Sequence, residues 1–122
     1  MGFLYVALGG ALGAAGRYAV SLIPLKSTFP FLTLLTNLVG AVLIGLIAGL
    51  FTGRETAGQN TLLFWKTGVC GGFTTFSTFS LETLGLLEKG SWFLGILYAV
   101  LSVIACVIGV LVGKKLALLI HP

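Results

Sequence analysis

The sequence predicts an all-α integral membrane protein of four transmembrane helices, on three observations. Of its 122 residues, 57% are hydrophobic and 8% charged, whereas a soluble domain carries about 25% charged residues. Uncharged runs cover 27–53 and 90–113, each long enough to cross a bilayer, which takes roughly 20 apolar residues. Four such spans occupy about 80 residues and leave only short loops. No intervening segment is long enough to fold alone, so 1–122 reads as a single four-helix domain and any chemistry lies in its helices.

The helices are read over 2–23, 29–52, 61–87 and 91–113, with an apolar tail over 114–120 after Lys114-Lys115. Pro24 and Pro30 bracket the first loop, Gly53 to Asn60 form the second and Lys89-Gly90 the third. Helix one carries no charge before Arg17. A cleaved leader wants a basic start, so this helix is expected to be retained. Gly9, Gly13 and Arg17 follow one another at four-residue steps, which puts them on one helical face. Small residues on such a face let helix backbones meet in lipid. Arg17 reads either as a structural arginine snorkelling from the helix end or as a fixed positive charge at a pathway entrance.

Helix two repeats the step with Thr33, Asn37, Ala41, Gly45, Gly49 and Gly53. Asn37 therefore points into protein or water, as an interhelical hydrogen-bonder or as part of a pathway lining. In helix four, Tyr98, Ser102, Cys106, Gly109 and Gly113 form one stripe. Tyr98 lies too deep for an interfacial anchor and reads as a buried hydroxyl. Lys26 and Lys66 read as interfacial anchors.

Helix three departs from the pattern. Gly71-Gly72 sit near mid-span, and six hydroxylated residues follow: Thr74, Thr75, Ser77, Thr78, Ser80 and Thr83. Irregular backbone at membrane depth is tolerated only where protein or a water-filled cavity satisfies it. Freed carbonyls there suit a cation and freed N–H groups an anion. The reading is thus a helix broken at the glycine pair, with an ion site at the break. Beyond it, Phe73, Phe76 and Phe79 share one side, Thr75, Thr78 and Glu82 a second, and Ser77 and Ser80 edge a third. Phenylalanine rings have positive edges, which favour an anion without a full charge, while the plain alternative is core packing. Glu82 is the one carboxylate well inside a span. It reads as a proton carrier, as a partner for Arg17 or Lys66, or as a hydrogen-bonded structural acid.

Charge placement bears on assembly. Arg54, Lys66, Lys114 and Lys115 fall on the side of the termini and second loop, against Lys26, Lys89 and Arg17 on the other. Near balance gives no orientation preference under the positive-inside rule, which favours insertion both ways and an antiparallel, dual-topology homodimer. The net charge of +4 is dispersed, so nucleic-acid binding has no footing. Cys70 and Cys106 lie within apolar stretches and read as packing residues. The single histidine, His121, leaves no side-chain metal site and no nucleophile–base pair, so no enzyme is expected.

Three blocks carry a resemblance: Gly9-Gly10-Ala11-Leu12-Gly13-Ala14-Ala15-Gly16-Arg17-Tyr18, Thr33-Leu34-Leu35-Thr36-Asn37-Leu38-Val39-Gly40 and, above all, Gly71-Gly72-Phe73-Thr74-Thr75-Phe76-Ser77-Thr78-Phe79. Through them the chain resembles the CrcB/Fluc family of fluoride channels. The resemblance implies an antiparallel homodimer with two pores, passively exporting fluoride across a bacterial inner membrane to relieve its toxicity. It implies that Phe76 and Phe79 contact the ion and that Asn37 coordinates it. The backbone carbonyls of Gly71 and Thr74 would hold a structural sodium ion at the dimer centre. Ser77, Thr78, Glu82, Tyr98 and Ser102 match or adjoin polar pathway positions, and Arg17 matches an arginine near the aqueous vestibule. Cys106 stands where some members carry a hydroxyl.

Two other classes compete. A small proton-coupled multidrug exporter is also a four-helix dual-topology dimer, but it wants an acid early in its path, and helix one has only Arg17. A non-transporting structural subunit has no need of six hydroxyls around a helix break.

Overall fold

The computed structural model describes residues 1–54 and 58–120, which are helical apart from their turns. Helices α1 (Gly2–Ser21) and α2 (Phe31–Leu50) have 20 residues each. At 1.5 Å per residue each spans about 30 Å, the thickness of a bilayer's hydrocarbon core. The third span begins with α3 (Gln59–Leu62), a π-helical segment (Leu63–Cys70) and the short α4 (Gly71–Phe73). It resumes as α5 (Phe76–Glu88). The last helix, α6, covers Trp92–Ile120.

Helices one and two are each shorter than the sequence reading by two residues at one or both ends, and two larger differences matter for the site. Helix four does not stop at residue 113 with a separate tail; α6 continues through Lys114 and Lys115 to Ile120. Lysine is a good helix former, and Ala117, 2% exposed, packs against Gly49 at the end of α2. The interruption of the third span is also displaced. Gly71 and Gly72 stay helical, while Thr74 (φ −84°, ψ 157°) and Thr75 (φ −149°, ψ 119°) are extended. β-Branched residues suit extended backbone better than helix. Thr75 also has a second task, because its hydroxyl accepts the Thr78 N–H at 3.1 Å and caps α5.

α2 packs mainly on α6, and α1 on the π-helical segment and α4. Lipid tails supply no hydrophobic drive between helices, so close backbone approach and dispersion carry these contacts. Gly9 meets Gly68 backbone to backbone, and Gly113 lies against the Val42 carbonyl; a Cβ at either glycine would overlap main-chain atoms. Between α5 and α6, Gly90 (φ 80°) closes a left-handed cap in which the Ser91 N–H bonds the Leu86 carbonyl at 2.9 Å.

The interior is small. Tyr98 and Cys70 are the large side chains wholly enclosed, while Phe3, Leu81, Phe93 and Leu119 stand outward. Three helices, α1, α2 and α6, are each long and apolar enough to cross a membrane. An apolar exterior around a thin polar core is the arrangement of a protein solvated by lipid.

Candidate functional site

The extended residues between α4 and α5 take backbone groups out of the helical ladder, and most find side-chain partners. Asn37, on α2, donates from Nδ2 to the Thr75 carbonyl at 3.1 Å and accepts the Thr75 N–H on Oδ1 at 2.8 Å. Arg17, on α1, donates from Nε to the Gly72 carbonyl at 3.2 Å. Arg17 thus braces the break, besides lining a cavity of about 200 Å³ with Thr33, Thr36, Thr75 and Thr78.

Two carbonyls lose their usual donors. In an unbroken helix the Thr75 N–H would bond the Gly71 carbonyl and the Thr78 N–H the Thr74 carbonyl. Asn37 Oδ1 and Thr75 Oγ1 take those donors instead. The Thr74 N–H and hydroxyl both turn back to the Cys70 carbonyl, at 3.0 and 2.8 Å. The carbonyls of Gly71 and Thr74 are thereby left without their helical donors.

The aromatic residues divide at the break. Phe73 does not share a side with Phe76 and Phe79; it is helical in α4 and packs beside Gly16 and Gly40. Two extended residues displace α5 from the line of α4, which removes the three-residue register. Phe76 and Phe79 stand with ring centroids 5.5 Å apart, and Phe79 is 5.0 Å from Tyr98. Phe29 meets Tyr98 edge-on at 5.5 Å and continues the row toward the first loop. Phe76 is 78% exposed.

Beside that row, Glu82 accepts two hydrogen bonds, from the Tyr98 hydroxyl at 2.9 Å and from Thr33 Oγ1 at 3.0 Å. Neither Arg17 nor Lys66 is its partner: Arg17 donates to the Gly72 carbonyl, and Lys66 is exposed along a groove on the other side of the break. Tyr98 is 0% exposed, the buried hydroxyl its depth in helix four predicts. Thr33 was visible in the sequence as the residue one turn before Asn37, but its role needs α5 alongside. Glu82 and Thr33 also line a cavity of about 310 Å³ toward the first loop, with Ser27, Thr28 and Lys89.

A larger groove, about 660 Å³, opens on the other side of the break. Asn37, Gly71, Thr74, Phe76, Phe79 and Ser102 all line it, so the structure brings most of the sequence-derived candidates together. Ser77 is exposed on α5, 3.3 Å from the Thr75 hydroxyl, and Thr78 faces the smaller Arg17 cavity instead. Ser102 is 7% exposed, and its hydroxyl has no partner among the described residues. Lys66 and Thr67 complete one wall of the groove; neither was singled out as a site residue, since periodicity cannot assign faces through a π-helical segment. His121 lies outside the described residues.

The fold and site define a small all-helical protein, three of whose helices are long and apolar enough to cross a membrane, with two extended residues, Thr74 and Thr75, beside an aromatic row. The chain belongs to the CrcB family: the family described as CrcB-like protein, Camphor Resistance (CrcB), matches residues 4–114. It is 48% identical over 119 residues to the fluoride-specific ion channel FluC 2 of Nitrobacter hamburgensis, covering 95% of this chain and 96% of that protein. It is 45% identical to the fluoride-specific ion channel FluC of Ruminiclostridium cellulolyticum, over 92% of this chain and 88% of that one. A third relative, the fluoride-specific ion channel FluC of Magnetococcus marinus, is 43% identical over 98% of this chain and 100% of its own.

Proposed function

We propose that this protein is a fluoride-selective channel that passively releases fluoride across a bacterial inner membrane and thereby relieves fluoride toxicity. The observation that carries the reading is the groove at the break, where the Phe76–Phe79 row, Asn37 and the unpartnered Ser102 hydroxyl share one wall system. Fluoride is small and strongly hydrated, so a path must replace its water with donors while holding it weakly enough to release. Ring edges of Phe76 and Phe79 supply weak positive potential. The first N–H groups of α5 have no intrahelical acceptor and sit at the positive end of the helix dipole. Hydroxyls at Ser77, Thr78, Tyr98 and Ser102 extend the donor set, and Arg17 adds a positive charge behind the break. Glu82 holds the Tyr98 and Thr33 hydroxyls in place as their common acceptor.

The groove is open along its length. In a bilayer, the freed carbonyls of Gly71 and Thr74 and the exposed Phe76 would face lipid, which satisfies no hydrogen bond. A second copy, inserted antiparallel as the near-balanced charges favour, covers this face and completes two pathways. In that assembly the carbonyls of Gly71 and Thr74 from both copies suit a structural sodium ion at the centre, since unwound backbone carbonyls are the usual intramembrane ligands for it. The bound ion would supply charge compensation between the copies.

The test is fluoride efflux from liposomes carrying the purified protein, read with a fluoride electrode after a potassium ionophore supplies charge balance, beside chloride-loaded vesicles. Fast fluoride release with negligible chloride release is the expected outcome. Fluoride retained until a proton gradient is imposed would replace the channel with a proton-coupled exporter using Glu82. No movement under either condition from folded protein would overturn both.

A further inference from the structure

Lys66, which the sequence reads as an interfacial anchor, stands along the groove rather than apart from it. It lines the groove, as do Cys70 and Gly71, and is the one charged residue among the described residues lining it. Its Cα lies about 10 Å along the helix from the break, against a hydrocarbon half-thickness of about 15 Å. Helical side chains lean toward the helix N-terminus, which sends the ammonium of this exposed residue toward the groove's mouth on the side of the second loop.

A separate observation, the unpartnered hydroxyl of Ser102, points to an occupant that accepts hydrogen bonds. Hydroxyls in these helices ordinarily bond the carbonyl four residues back: Thr74 to Cys70, Ser80 to Phe76 and Thr83 to Phe79, each at 2.8 Å. Ser102 does not, although it is buried and that acceptor is always within reach of a helical serine. Leaving a buried donor unpaired is unfavourable, so its retention points to a ligand that takes the proton's hydrogen bond. Beyond Ser102 toward the mouth, α6 lines the groove with Val103, Cys106, Val107 and Val110, of which Cys106 alone has a donor, and a weak one. On that stretch the opposing wall carries Lys66 and Thr67.

We propose that Lys66 is the anion-attracting group at the second-loop mouth of this groove, compensating by its charge for a stretch of α6 on which Cys106 is a weak donor and the valines supply none. The proposal rests on the fluoride-channel reading and assigns to it a residue that acts on the approach and departure of the ion. A unit positive charge within several ångströms of the ion's route raises local anion concentration by a few-fold or more, and salt screens that effect over a Debye length that falls from about 30 Å at 0.01 M to about 3 Å at 1 M.

The experiment compares initial fluoride efflux from liposomes carrying wild-type, Lys66→Gln, Lys66→Arg and Lys66→Glu protein, each first checked by size-exclusion chromatography. Ionic strength is varied with N-methylglucamine gluconate at constant sodium. At low ionic strength Lys66→Gln is expected to lose about three- to tenfold in rate, Lys66→Glu more, and Lys66→Arg little. The wild-type advantage over Lys66→Gln should shrink toward unity at high salt. The wild type's own salt dependence needs no variant to fold and should be a fall in rate. A conducting wild type matched by Lys66→Gln at low salt, or a difference between them that salt does not move, overturns the proposal and leaves the channel reading intact. Wild-type vesicles that release no fluoride at any ionic strength overturn both.

Discussion

Asn37 and Thr75 are joined by a two-point pair, side-chain amide to main-chain peptide, at 3.1 and 2.8 Å. A peptide unit in mid-membrane is thereby satisfied by a neighbouring helix, which is what allows the third span to be interrupted. The pair has a second effect. By holding the Thr75 N–H, Asn37 keeps that donor from the Gly71 carbonyl, so one side chain both stabilises the break and leaves that carbonyl without its helical donor.

Asn37→Asp is expected to lose the Nδ2 donor and place negative charge beside the pathway. The variant should fall in thermal stability by about 1–3 kcal/mol, the range for an unpaired buried group, and pass fluoride at least tenfold more slowly. Thermal unfolding in detergent and liposome efflux check the two parts. Full stability would mean that water satisfies Thr75 as well as Asn37 does.

Phe76→Ile and Phe79→Ile should separate stability from conduction. Phe76 is largely exposed and its ring contact is with Phe79 alone, so its loss should scarcely change unfolding. Phe79 also contacts Tyr98, and an aromatic pair contributes about 0.5–1.5 kcal/mol. Both variants should still assemble and both should cut fluoride efflux; unchanged efflux in both removes the rings from the mechanism.

Ser102→Ala carries the opposite expectation to an ordinary buried-serine substitution. No intramolecular hydrogen bond is lost, so stability should hold or rise slightly, while fluoride efflux should drop several-fold. A clear loss of stability would reveal a partner for the hydroxyl in the assembled protein.

Gly113→Ala and Gly10→Ala test the packing argument as a pair. At Gly113 the new methyl overlaps the Val42 carbonyl, whereas at Gly10 it meets nothing within 4 Å. The first should cost about 1–3 kcal/mol of stability through overpacking, and the second should be neutral or stabilising, since alanine exceeds glycine in helix propensity by about 1 kcal/mol. Unfolding in detergent distinguishes them.

Sodium removal bears on the carbonyls of Gly71 and Thr74. Protein exchanged into N-methylglucamine chloride should lose thermal stability and dissociate more readily than protein kept in sodium chloride, and sodium should restore both. Insensitivity to sodium would assign those carbonyls to water.

Much of the membrane architecture was legible because lipid imposes one-dimensional rules. Span length and charge scarcity announce helices, and the four-residue steps of Gly9-Gly13 and Asn37-Ala41-Gly45 announce the faces that meet. Local backbone chemistry was less legible. A glycine pair is the obvious weak point by propensity, yet Gly71 and Gly72 stay helical, with Gly72 held against Gly10 and by Arg17, and Thr74 and Thr75 give way because Asn37 and a capping hydroxyl reward extension there. Two successive lysines after Gly113 suggest a helix end, but α6 continues to Ile120, with Ala117 packed on Gly49. What the sequence determined by itself was which residue types stand at mid-membrane: the hydroxyls, the phenylalanines, Asn37 and Glu82. Which of them touch was decided only by the tertiary structure. Periodicity assigns faces within an unbroken helix, and it fails across a π-helical segment and an extended link, where Phe73 parts from Phe76 and Lys66 turns into the groove.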